Sequence, residues 1–108
     1  MFQNISSETF YRLSEEPDSV IIDVRTLGEA QTGIIPGAIL LDIFHPEFAR
    51  KVQALDKSKK YLIYCRSGNR SAHACMMMAQ MGFEHTYNLA QGMYGWRGPV
   101  VGLPEHNR

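Results

Sequence analysis

Apolar residues along this chain fall into short runs that alternate with segments of helical period. Val20-Ile21-Ile22-Asp23-Val24 is a compact β-branched run and predicts a buried strand. Ala38-Ile39-Leu40-Leu41 and Tyr61-Leu62-Ile63-Tyr64 predict two more, and Thr86 to Leu89 a fourth. Between them lie helical patterns. Ser6 or Ser7 caps a short helix through about Leu13, with Glu8 near its positive end. Pro17-Asp18 makes a turn. Pro46 suits the first turn of a helix that places Phe48, Val52 and Leu55 on one face. A third helix is expected from about Ser71 to Met81, with Ala72, Cys75, Met76 and Ala79 as its core stripe and Gly82 as its left-handed stop. Gly33, Pro36 and Gly37 mark one loop, and Asp56 to Lys60 another. The segment after Gly92 reads as loop with one helical turn around Trp96. Strands alternating with helices imply an α/β fold, a mostly parallel sheet covered on both faces. In such sheets ligands bind beyond the carboxyl ends of the strands.

The 108 residues fit one domain, expected to span 1–108, with 44% apolar and 20% charged side chains. Eleven basic residues balance eleven acidic ones, which argues against a nucleic-acid or anionic-membrane partner. The longest apolar run, Ala74 to Ala79, has six residues, too few to cross a bilayer. No apolar run follows the first basic residue, Arg12, so no secretory signal is expected. Two cysteines make no disulfide framework, and a cytoplasmic location is expected. The zero net charge hides an asymmetry: residues 1–54 sum to −4 and residues 55–108 to +4. An anionic small substrate would suit the second half.

That half contains Tyr64-Cys65-Arg66-Ser67-Gly68-Asn69-Arg70-Ser71, in which a cysteine ends a buried strand and a short polar loop leads into a helix. Successive N–H groups of such a loop can point at one spot, and the helix adds its unsatisfied amides and dipole. Arg66 and Arg70 add two positive charges. All three effects favour a thiolate and a bound oxyanion, which makes Cys65 the candidate nucleophile and Arg66, Ser67, Gly68, Asn69 and Arg70 the candidate substrate cradle. Cys75 reads as core. It lies roughly 12 Å along the helix from Ser67, beyond disulfide reach of Cys65. His73 and Cys75 lack a zinc spacing, so neither a metal nor a cofactor is expected. His45 reads as a local cap, and His73 and His85 as solvated; none is placed to act as a base for Cys65. Met76, Met77, Met78 and Met81 read as core filling, and Asp23, Arg25 and Glu29 as a structural ion-pair group.

The chain resembles the rhodanese-like sulfurtransferase domains, the thiosulfate sulfurtransferase family, in single-domain form. Asp23-Val24-Arg25 with Glu29, then Gly33-Ile34-Ile35-Pro36-Gly37-Ala38, is similar to that family's N-terminal signature. The Cys65 loop is similar to its active-site loop. Leu89-Ala90-Gln91-Gly92-Met93-Tyr94-Gly95-Trp96 with Gly102-Leu103-Pro104 is similar to its C-terminal signature. The resemblance implies a five-stranded, mostly parallel sheet with helices on both faces. It implies a Cys65 persulfide, formed from a small anionic donor such as thiosulfate and passed to cyanide, a thiol or a protein acceptor. It implies a cradle of amides from Arg66 to Arg70, and a role for Asp23 in holding Arg70 or the loop. Ile34 and Gln91 stand where the family usually has histidine and glycine. Related phosphatases place one more residue between cysteine and arginine than the four found here, so the shorter ring favours sulfur transfer. The alternatives are a sulfur-carrier or docking module with little turnover and, behind it, a cysteine-dependent phosphatase.

Overall fold

The computed structural model describes residues 2–105. Five strands form one sheet: β1 (Gln3–Ile5), β2 (Ser19–Asp23), β3 (Ile39–Leu40), β4 (Lys60–Tyr64) and β5 (His85–Leu89). Their spatial order is β1-β5-β4-β2-β3, and every pairing is parallel. The helices are α1 (Ser7–Ser14), α2 (Leu27–Ala30), α3 (Phe48–Gln53) and α4 (Asn69–Gln80), followed by a 3₁₀ turn at Gly92–Gly95. Ser6 caps α1 as expected, its hydroxyl accepting from Thr9 N–H.

Period-two alternation along β4 builds two cores. Tyr61, Ile63 and Cys65 face one side with Ile22, and meet Phe48 and Val52 of α3 and Ala74, Cys75 and Met78 of α4. Leu62 and Tyr64 face the other side with Ile21 and Leu89, and meet Phe10 of α1, Ala30 of α2, Ile34 and Leu103. Each fully buried aliphatic side chain here stabilises the fold by about 1.5–3 kcal/mol. Because all strands run one way, their carboxyl ends share one edge, and the residue after β4 is Cys65.

Four details differ from the sequence reading. Residues 3–5 form β1, a strand that their polar pattern did not announce; pairing with β5 makes it one. Residues 27–30 form a single turn of helix, α2, held by a capping box between Thr26 and Glu29. Pro46 lies in the turn before α3 and not in its first turn. The buried stripe of α4 is Ser71, Ala74, Cys75 and Met78, one position off from the expected Ala72, Cys75, Met76 and Ala79; Met76 is half exposed. The rotation follows from Ser71, a polar residue that is buried because its hydroxyl has a partner, the Cys65 sulfur.

Candidate active site

Between β4 and α4 the chain turns through Cys65, Arg66, Ser67 and Gly68. Gly68 has φ +101°, a left-handed conformation that permits the sharp entry into α4. That turn aims its own N–H at Cys65 Sγ, 3.1 Å away, and one turn of α4 brings the Ser71 hydroxyl to 3.3 Å, where it also donates. Burial of Cys65 pushes its thiol up, but the Ser71 hydroxyl and the amides of Ser71, Gly68 and Ser67 outweigh this and hold it below the ordinary value. Cys75 has no such donors, and burial pushes its thiol up to about 12. The two thiols are thus shifted in opposite directions, Cys65 by its hydrogen-bond donors and Cys75 by burial.

The loop is braced from behind. Gly92, at φ +61°, lets the turn after β5 press against it, so that Met93 N–H donates to the Cys65 carbonyl (3.0 Å) and Tyr94 N–H to that of Arg66 (3.2 Å). Buried Asn88 on β5 donates through Nδ2 to the Gly68 carbonyl (3.1 Å) and to Asn4 Oδ1 on β1 (2.9 Å).

The arginines behave differently from the sequence reading, which gave them to the thiolate. Both are held by Glu29 of α2. Arg70 Nη1 and Nη2 donate to its two oxygens at 2.8 Å each, and Arg66 Nε lies 3.4 Å away. The Arg70 hydrogen bonds hold the Glu29 carboxyl down at about 2, against the opposing effect of burial and with help from Thr26. The hydrogen bonds to Cys65 Sγ thus come from uncharged donors, and Arg70 acts on the sulfur through charge alone. Phe44, an exposed aromatic after β3, stands over Arg70, with its ring centre 5.9 Å from Cζ.

Asp23 acts on Arg70 through charge alone, behind the hydrogen bonds and charge of Glu29, and takes its own hydrogen bonds from other partners. It forks with Arg25 (Nη2 to Oδ2, 2.8 Å) and accepts from the Tyr64 hydroxyl (2.8 Å), all three being buried. Tyr64 Oη in turn accepts from Ile35 N–H (3.1 Å), and Arg25 donates to the Gly33 carbonyl (2.7 Å). This network ties the loop after β2 to β4 on the sheet face opposite Cys65. Ile34 is core there, and Gln91 lines a groove with Asn4, Ser7 and Arg97 rather than the cysteine loop. His45 Nδ1 accepts from Glu47 N–H, and His73 and His85 are exposed, as expected.

Of the expected cradle residues Arg66, Ser67, Gly68, Asn69 and Arg70, four make contacts of two different kinds. Gly68 and Ser67 supply amides to the sulfur, whereas Arg66 and Arg70 supply guanidinium groups to Glu29. Ser71, Asn88 and the bridging role of Glu29 were not assigned from sequence. A buried serine at helical period in an otherwise apolar stripe is the signal that could have found the first; the other two are contacts between distant parts of the chain.

The lowered thiol of Cys65 thus lies at the carboxyl end of a central strand of a parallel α/β sheet, the edge at which such sheets bind ligands. Residues 6–99 match the Rhodanese-like domain family, and the chain belongs to it. A sulfurtransferase of Allochromatium vinosum is 34% identical over 108 residues, covering 97% of this chain and 99% of that protein. A putative sulfur carrier protein of Bacillus subtilis, YrkF, is 32% identical over 95 residues, covering 87% of this chain and 50% of that protein. The crystal structure of a rhodanese-like domain protein from Staphylococcus aureus superposes with a TM-score of 0.81 at 26% identity, covering 95% of this chain and 100% of that one.

Proposed function

We propose that the protein transfers a sulfane sulfur through a persulfide on Cys65. The observation that carries this is the acidified thiol ringed by uncharged donors, Gly68 N–H at 3.1 Å and Ser71 O–H at 3.3 Å. The thiolate attacks the outer sulfur of a donor, thiosulfate being the simplest. The donor's S–S bond breaks, and sulfite leaves with the bonding electron pair. The new Cys65–S–S⁻ is held by the amides of the Arg66–Arg70 turn. A second nucleophile, cyanide in an assay or a thiol, then attacks the outer sulfur and restores the Cys65 thiolate. The kinetics are ping-pong. Among the described residues no helix is long and apolar enough to cross a membrane.

A second reading, a persulfide carrier that docks on a partner and turns over slowly by itself, is favoured by the similarity to a putative sulfur carrier protein. The two share the first half-reaction and differ in the second.

Intact-protein mass spectrometry after brief exposure to thiosulfate tests the reading. Wild type gains one sulfur atom and loses it to cyanide as thiocyanate; Cys65→Ser gains none, and Cys75→Ser behaves as wild type. Sulfur gain by Cys65→Ser would refute the assignment. Fast loading beside slow release to small thiols would favour the carrier.

A further inference from the structure

Asn88 is 2% exposed and sits on β5, between β1 and β4. Both protons of its side-chain amide are used, one on Asn4 Oδ1 at 2.9 Å and the other on the Gly68 carbonyl at 3.1 Å. Its Oδ1 has no partner among the described residues. Turning the amide over would set that oxygen against the Gly68 carbonyl, which can only accept, so Gly68 fixes the orientation. A buried amide with its oxygen unpaired is destabilising, and a leucine of similar shape would fill the space without an orphan. The donor side of Asn88 therefore calls for a physical reason.

Gly68 supplies one. Its N–H lies 3.1 Å from Cys65 Sγ, in a residue with φ +101°. A glycine has no Cβ to narrow its torsions, so whatever holds that aim comes from outside the residue. Its carbonyl has two lone pairs. The Ala72 N–H takes one at 3.2 Å, as the first hydrogen bond of α4, and Asn88 takes the other. Gly68 also lies flat on the end of β5, where a Cβ would come to 2.2 Å from the Ala90 carbonyl oxygen. Helix, strand end and one side-chain amide thus clamp the residue whose N–H meets the sulfur. Only the amide can be removed by substitution without touching the backbone.

Resting on the reading of Cys65 as the sulfur-transferring nucleophile, we propose that Asn88 is a positioning residue for it, whose amide fixes the Gly68 peptide so that its N–H points at Cys65 Sγ. Asn88 makes no hydrogen bond to the sulfur and acts through Gly68. With the grip lost, the glycine relaxes, the N–H swings away, and the thiolate loses a donor. Linkage requires the converse: ionising Cys65 must strengthen the bond between Asn88 and Gly68.

The test is a pH titration of thiolate absorbance in Asn88→Leu, each curve taken as the difference from the same protein carrying Cys65→Ser. Leucine keeps the shape and removes the orphan oxygen, and exposed Asn4 can turn to water, so the sheet should hold. The Cys65 pKa should rise by at least about half a unit, an about threefold loss of thiolate at pH values below it. Thr86→Val removes another buried, unpartnered polar atom two positions earlier on the same face of β5, and should leave the pKa at its wild-type value. An unchanged pKa in folded Asn88→Leu, or an equal rise in Thr86→Val, would overturn the proposal and leave Asn88 as a link between β1 and β5. Should Asn88→Leu not fold, wild type decides. The side-chain amide NMR signals of Asn88 should titrate with Cys65 and cease to do so in Cys65→Ser; signals that stay still in wild type would overturn the proposal equally. None of these readouts needs a sulfur donor. A wild type that titrates as expected yet takes no sulfur from thiosulfate or a hydropersulfide would sink the transfer reading and leave the positioning of Gly68 standing.

Discussion

Replacing Ser71 by alanine isolates one of the donors that acidify Cys65. The hydroxyl lies 3.3 Å from Sγ, and Ser71 is fully buried, so water cannot take its place without rearrangement. A hydrogen bond to a charged group is worth about 1.5–3 kcal/mol, and one pKa unit corresponds to about 1.4 kcal/mol. The long S···O distance places this bond at the weak end, so the thiol should rise by about one unit. Alanine is smaller and a better helix former, so α4 should persist. The assay is a pH titration of thiolate absorbance, taken as the difference from Cys65→Ser to remove tyrosinate. Cys75, pushed up to about 12, stays protonated across the useful range. Sulfur loading at neutral pH should slow by up to about tenfold and recover as pH rises past the new pKa. The stability effect has a definite sign. A thiol held below its ordinary value of 9.0 contributes stability that is present above pH 9 and lost as pH falls through the folded value, so the variant's deficit should appear on the alkaline side. An unchanged pKa in a folded variant would show that the amides alone hold the thiolate. An equal loss of rate at every pH would show that Ser71 acts by packing.

Two further outcomes are expected. Gly92→Ala places a methyl 2.7 Å from the Cys65 carbonyl oxygen, and closer still to that of Arg66, at a φ of +61°. It should cost about 1–3 kcal/mol in chemical denaturation and slow persulfide loading, whereas Gly28→Ala, in open space, should do neither. Glu29 contributes stability that is complete above pH 4.5 and lost as pH falls toward about 2. The stability gap between wild type and Glu29→Gln should therefore narrow over that window; a gap constant with pH would rule out the ion pair as its source.

The strands β2 and β4 were legible because β-branched and aromatic runs are short, apolar and bounded by turn residues. Cys65 and its loop were legible because a cysteine between a buried strand and a polar glycine turn is chemically unusual. Residues 3–5 were not, since Gln3-Asn4-Ile5 has no periodicity of its own and becomes a strand only through β5. The stripe of α4 was misplaced by one position because apolar counting assigns Ser71 to solvent, whereas a hydrogen bond to sulfur takes it inside. The destination of the arginine charges escaped sequence reasoning for a related reason. Glu29 and Arg70 are 41 residues apart, and a capping box that fixes the carboxylate on α2 looks purely local until the fold brings α4 beside it.

The pairing of β1 with β5 bears on how the molecule assembles. Gln3 lies beside Tyr87 and Ile5 beside Leu89, so this edge joins segments 84 residues apart. Closing so long a loop from the unfolded chain carries the largest entropic penalty of any strand pairing in the sheet. Asn88 reaches Gly68 from that edge while bonded to Asn4. The brace behind the cysteine turn is thus complete only when β1 docks on β5, so the most local-looking turn of the molecule leans on its most distant strand pairing.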